Sequence, residues 1–105
     1  MASHGRPPFK SIDASLPGFK KSLAKCPIRD AVTTALVDIL RHVTDLVNPT
    51  IPGKFDFKKL RGYSNPNVYT IMIGGNHAYK LSMEIRDECA ILRRVGTHRM
   101  IDDGP

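Results

Sequence analysis

The side chains of this chain with the reach and charge to act on another molecule are cations, and they crowd its second half. Lys54, Lys58, Lys59 and Arg61 fall in one short stretch, Lys80 stands in an alternating segment, and Arg93, Arg94, His98 and Arg99 follow. Ammonium and guanidinium groups gathered in this way attract polyanions and bind them in a salt-sensitive manner. The plainer reading of the stretch is a solvated loop, on a surface charged for solubility. Cys26 and Cys89 stand alone, with no Cys-x-x-Cys pair and no histidine at zinc-ligand spacing, so neither a disulfide framework nor a metal site is expected. The run Gly74-Gly75-Asn76-His77 is glycine-rich, but it joins two strand-like segments rather than a strand to a helix, so it reads as a turn and not as a phosphate cradle. His42 falls on the polar side of a helical segment beside Arg41 and reads as solvated.

The whole chain has the same bias. Its 105 residues hold 16 Lys and Arg against 10 Asp and Glu, a formal charge of +6 with a pI near 9.6. That length fits one domain with one core. Residues 1–8 are small, polar and proline-containing and are expected to form a flexible arm, with the domain spanning 9–105. No apolar run approaches the ~20 residues of a membrane span, and the first residues lack the apolar segment of a secretory signal, so a cytoplasmic chain without membrane contact is expected.

The elements that must position these cations follow from periodicity. Residues 9–14 alternate weakly and suit an edge strand. Pro17 is placed to open a helix in which Phe19, Leu23 and Cys26 share a side, with Lys20, Lys21 and Lys25 elsewhere, and Pro27 ends it. From 30 to 48, Val32, Leu36, Ile39, Leu40, Val43, Leu46 and Val47 recur at intervals of three and four, predicting a second, amphipathic helix antiparallel to the first. Asp30 suits its N-terminal end, and Pro49 forbids its continuation. A loop rich in proline, glycine and asparagine carries the basic cluster. Beyond it the period becomes two: residues 68–73, the turn at 74–76, residues 79–85, a turn at 86–88 and residues 89–98 predict an antiparallel meander. The expected fold is α+β, two N-terminal helices packed on one face of a small antiparallel sheet in the order β-α-α-β-β-β, the other face being left for function.

Lys59-Leu60-Arg61-Gly62, the strand 68–73, Tyr79-Lys80-Leu81 and Arg94-Val95-Gly96-Thr97-His98 together resemble the second half of RelE-like toxins of toxin-antitoxin systems. The resemblance implies a ribosome-dependent mRNA endoribonuclease, an mRNA interferase, that lays RNA on the concave sheet face and lets the 2′-hydroxyl attack the adjacent phosphodiester without a metal or other cofactor. Such chemistry needs a base, a cation for the crowded negative charge and an acid for the leaving oxygen. Lys80 matches a family arginine and would stabilise phosphate, as a point charge rather than a bidentate fork. His98 matches the position of an acid or base, a role suited to an imidazole, which ordinarily titrates near ~6.5. Arg94 shares strand parity with His98 and would face the same groove, whereas Arg93 would point away in a regular strand; for both arginines the plainer reading is charge that discourages sheet-to-sheet aggregation. In the family, the loop with Lys54, Lys58, Lys59 and Arg61 would approach ribosomal RNA.

The resemblance also implies a cognate antitoxin as partner, besides the ribosome and mRNA, and oligomers only through that antitoxin. Two departures stand out. Thr70 and Met72 occupy positions where RelE presents lysines on the groove, and the tail after His98 has no aromatic ring to stack on a base, leaving Arg99 to stack instead. Two readings of the same fold remain beside cleavage: a ParE-like toxin that inhibits gyrase by binding, and a non-catalytic nucleic-acid-binding relative.

Overall fold

The computed structural model describes residues 7–105, so most of the arm expected over 1–8 lies outside the described residues. In chain order the elements are β1 (Ser11–Asp13), α1 (Pro17–Ala24), α2 (Arg29–Val43), β2 (Lys58–Lys59), β3 (Tyr69–Ile73), β4 (Tyr79–Arg86), β5 (Cys89–Thr97) and α3 (His98–Asp103). The strands form one sheet in the order β1-β5-β4-β3-β2. The α+β class and the succession of strand, helix, helix and meander are as expected. The sheet is mixed rather than wholly antiparallel, because β1 runs parallel to β5 with Ile12 opposite Ala90. Parallel neighbours need a long connection between them, and the helices and the β2–β4 segment supply it.

Pro17 opens α1 with its backbone angle preset for a first helical turn. Phe19 is then buried, and the Ser22 hydroxyl accepts the Val95 N–H at 3.1 Å while donating to the Phe19 carbonyl at 2.9 Å, which ties α1 to the side of β5. Along α2 the buried positions are Val32, Ala35, Ile39 and Val43. They join Phe9, Phe19, Ile71, Ile73, Leu81, Met83, Ala90, Leu92 and Val95 in one core.

The second helix stops earlier than its period suggests. The Asp45 carboxylate accepts the backbone N–H groups of Val47 and Asn48 at 2.8 and 2.9 Å, a turn that competes with another helical turn just before Pro49. Leu46 and Val47, expected on the apolar stripe, are therefore 100% and 93% exposed. The hairpins follow their turn residues. Gly74 takes φ +88 and Asn76 φ +61 between β3 and β4, and Asp87 and Glu88, both left-handed, form a two-residue connection between β4 and β5. Along β4 and β5 the register passes from Ser82 opposite Arg94 to Met83 opposite Leu92, so Arg93 is the extra residue of a bulge.

Truncating the core should separate from altering the turn after α2. Ile39→Ala is expected to cost about 2–5 kcal/mol, and Leu46→Ser to stay within ~0.5 kcal/mol; equal losses in denaturant midpoint would mean that α2 continues through Leu46. The Asn48 and Val47 N–H groups hold the Asp45 carboxyl below its ordinary value of 3.8. A lowered folded value stabilises above that ordinary value and is lost as pH falls through the folded one. Acid titration of Asp45→Asn should show a shallower loss of stability below about pH 4 than the parent.

Candidate functional site

Strand pairing decides which side chains share a surface. Lys80 lies opposite both Met72 and Gly96, and Ser82 opposite both Thr70 and Arg94. Thr70, Met72, Lys80, Ser82, Arg94 and Gly96 thus stand on one face, alternating with the core residues that meet the helices. Lys80 and Arg94 are diagonal neighbours there. Arg93 departs from strand alternation at the bulge, and its Nη1 donates to Glu84 Oε2 at 2.7 Å while Arg86 holds the other Glu84 oxygen. The expectation that Arg93 points away from this face, which holds for a regular strand, is corrected by the bulge and this pair.

The face is not an open groove. After Thr97 the chain turns into α3, whose first turn is capped by the Thr97 hydroxyl accepting the Met100 N–H. Ile101 is fully buried beneath it. The approach is close at Gly96, where a Cβ would stand 3.3 Å from the Met100 Cβ and 3.1 Å from its Cε, so that the Met100 side chain would have to give by a few tenths of an ångström. Asp102 Oδ1 accepts from Lys80 Nζ at 2.7 Å, leaving the lysine side chain 7% exposed and the aspartate 48%. Arg94 Nη1 donates to the Gly104 carbonyl, and Arg93 reaches the Pro105 carbonyl at 3.4 Å.

His98 is the first residue of α3 rather than the last of β5, and it is half-buried. Its Nε2–H donates to the His77 carbonyl in the β3–β4 turn. In the neutral ring that leaves Nδ1 as the acceptor. The His77 ring in turn donates to the Lys54 carbonyl at 3.0 Å. No hydrogen bond joins His98 to Lys80 or Arg94 among the described residues; it flanks their face from the turn.

Neither a family model nor a curated protein sequence matches this chain. A solved structure does: a chain of the RelB-RelE antitoxin-toxin complex from Methanococcus jannaschii superposes with a TM-score of 0.59 at 26% identity, over 90% of this chain and 99% of that one. The chain has the RelE-like toxin fold.

Within this RelE-like chain the remaining basic residues divide. Lys54 Nζ sits 3.0 Å from Asp38 and 5.2 Å from the centre of the Phe55 ring, and its ammonium holds the Asp38 carboxyl below the usual carboxylate range. Lys58 is 3.3 Å from Asp56, and Arg99 is 4.0 Å from Asp103 in a highly exposed pair. Lys59 and Arg61 are exposed and line a hollow of about 320 Å³ with Gly62, Tyr63 and Ser64. Lys58, opposite Thr70, has the strand parity of the Lys80 and Arg94 face, whereas Lys59 lies opposite Tyr69 on the other parity. Sequence reasoning missed Glu84, Asp102 and His77. The available signal for Asp102 was that a lysine set among apolar strand residues calls for a counter-charge, and Asp102 and Asp103 are the carboxylates that follow β5.

Thr70 carries the one buried side-chain polar atom without a partner among the described residues, its Oγ1. Thr70→Val keeps the shape and removes that hydroxyl, so it should leave stability unchanged or raise it by about 1 kcal/mol. The Lys80–Asp102 pair predicts an asymmetry. Asp102→Ala should cost about 1–2 kcal/mol by leaving a buried ammonium unpaired, and Lys80→Met less, because Asp102 is left half in water. Urea midpoints of the two variants check the order.

Proposed function

We propose that this chain is the toxin of a toxin-antitoxin pair and that it cleaves mRNA on the ribosome, in the cytoplasm. The observation that carries the reading is the placing of Lys80 and Arg94 on one sheet face, with the His98 imidazole at its margin. The likeness to a chain from an antitoxin-toxin complex supports the toxin half of it and the antitoxin as partner.

The chemistry assigns each group a step. Held through Nε2–H by the His77 carbonyl, the His98 ring offers Nδ1 to take the proton of an RNA 2′-hydroxyl. The 2′-oxygen then bonds to phosphorus, the bond to the 5′-oxygen breaks, and a proton returns to that oxygen, leaving a 2′,3′-cyclic phosphate and a 5′-hydroxyl. Lys80 and Arg94 offset the charge that gathers on the phosphoryl oxygens. Lys59, Arg61 and Arg99, together with Lys54 and Lys58 where their carboxylates yield, attract ribosomal or messenger RNA.

A second reading, binding without cleavage, as a ParE-like gyrase inhibitor or a non-catalytic nucleic-acid-binding relative, is favoured by Thr70 and Met72 on β3 and by the closed surroundings of Lys80. Inducible expression separates the two. Growth arrest with new 5′ ends inside translated messages supports cleavage, and His98→Ala should then lower cutting by about 10²–10⁴ with stability within ~0.5 kcal/mol. Arrest without mapped cuts would move the assignment to binding. Substituting Lys59 and Arg61 by Gln should reduce the salt slope of ribosome association by about two, more than the same change at Lys54 and Lys58, which already face carboxylates.

A further inference from the structure

Two cations on an otherwise buried strand face need oxygen partners, and here residues 102–104 of the same chain supply them. The Asp102 carboxylate meets Lys80 at 2.7 Å and the Gly104 carbonyl meets Arg94. A carboxylate and a phosphodiester offer the same pair of acceptor oxygens to such groups. We infer that residues 98–105 are an internal mimic of RNA phosphate, a cover that holds Lys80 and Arg94 until it is lifted. The inference rests on the RNA reading above for the identity of the displaced ligand's competitor, a phosphodiester backbone.

The segment is built to be lifted. α3 has six residues, far fewer than a helix needs to persist by itself. One of its side chains, Ile101, is fully buried, whereas Arg99, Met100, Asp102 and Asp103 are exposed. Its hold on the sheet is therefore that one apolar contact, the close packing over Gly96, the His98 bond to the His77 carbonyl and the polar contacts to Lys80, Arg93 and Arg94, and such weakly buried segments open first in folded proteins. His98 lies at the junction with Thr97, so a pivot there moves it least. An RNA strand brings many charges to the basic surface, and a single carboxylate on Lys80 is the group it has to replace.

The test uses the whole chain and a short single-stranded oligoribonucleotide, with binding read by fluorescence anisotropy. Asp102→Asn removes the mimic's charge and keeps its shape, and it should bind roughly fivefold tighter than the parent. Gly96→Ala crowds the Met100 side chain where α3 packs on β5, with no change of charge, and should also tighten binding. Asp103→Asn makes the same charge change outside the contact and should shift affinity less than twofold. Adding Lys80→Met to Asp102→Asn should abolish the gain while circular dichroism stays that of the folded chain. Equal tightening by Asp102→Asn and Asp103→Asn, or a gain that survives Lys80→Met, would overturn the inference. Transcript mapping keeps the two proposals apart. Lysine-dependent tightening without cuts in any variant retains the cover and removes the nuclease, whereas cutting and binding that are equal in parent and Asp102→Asn retain the nuclease and remove the cover.

Discussion

An ammonium group at the centre of a five-stranded sheet is the constraint around which this molecule is arranged. Lys80 belongs to β4, which is paired on both sides, so its backbone cannot move to bring the charge to water. A lone charge in such a place is strongly disfavoured, and the usual remedy is a partner with good geometry. Asp102 provides it from a helix that would have little reason to form by itself. Once α3 is fixed by that pair, Thr97 becomes its cap, Gly96 lets Met100 pack close on β5, and His98 is turned toward the β3–β4 turn.

The two faces of the sheet are governed by different physics. Toward α1 and α2 it is apolar and close-packed, and its strength scales with the area removed from water. Toward α3 it is polar, and its order depends on charge and hydrogen bonds in a setting of low dielectric. The bulge at Arg93 belongs to this second face. By placing one residue out of alternation it lets Glu84 gather Arg86 and Arg93 at the end of the sheet remote from His98, where Pro105 also arrives.

Much of the helical and hairpin architecture could be read from the residues because local and tertiary preferences agree there. Pro17, the apolar repeat of α2 and the glycines before Asn76 each impose a local conformation that packing then uses. Three features escaped because they depend on long-range partners or on a contest between local ones. The helix α2 ends where the Asp45 carboxylate wins backbone donors from the helix, and period alone does not record that. The sheet is mixed because β1 takes the outer side of β5, a choice that no spacing within 9–14 encodes. The tail after His98 reads as polar and unpatterned, yet one carboxylate in it completes an ion pair across 22 positions of chain. For the same reason the candidate cations could be recognised by type and parity while their occupancy by the chain's own oxygens could not.

The short reach of β1 bears on how this protein meets its own copies. It pairs with β5 only from Cys89 to Ile91, which would leave the outer backbone of the strand's second half unguarded. α1 lies along that stretch instead, with Ser22 taking the Val95 N–H. At the opposite margin the sheet ends in β2, two lysines long. Neither margin presents the long, uncharged ladder of donors and acceptors on which another strand can template itself. Self-association into ribbons is thereby disfavoured from both sides, and crowded conditions that promote such stacking in other β-rich domains find little purchase here.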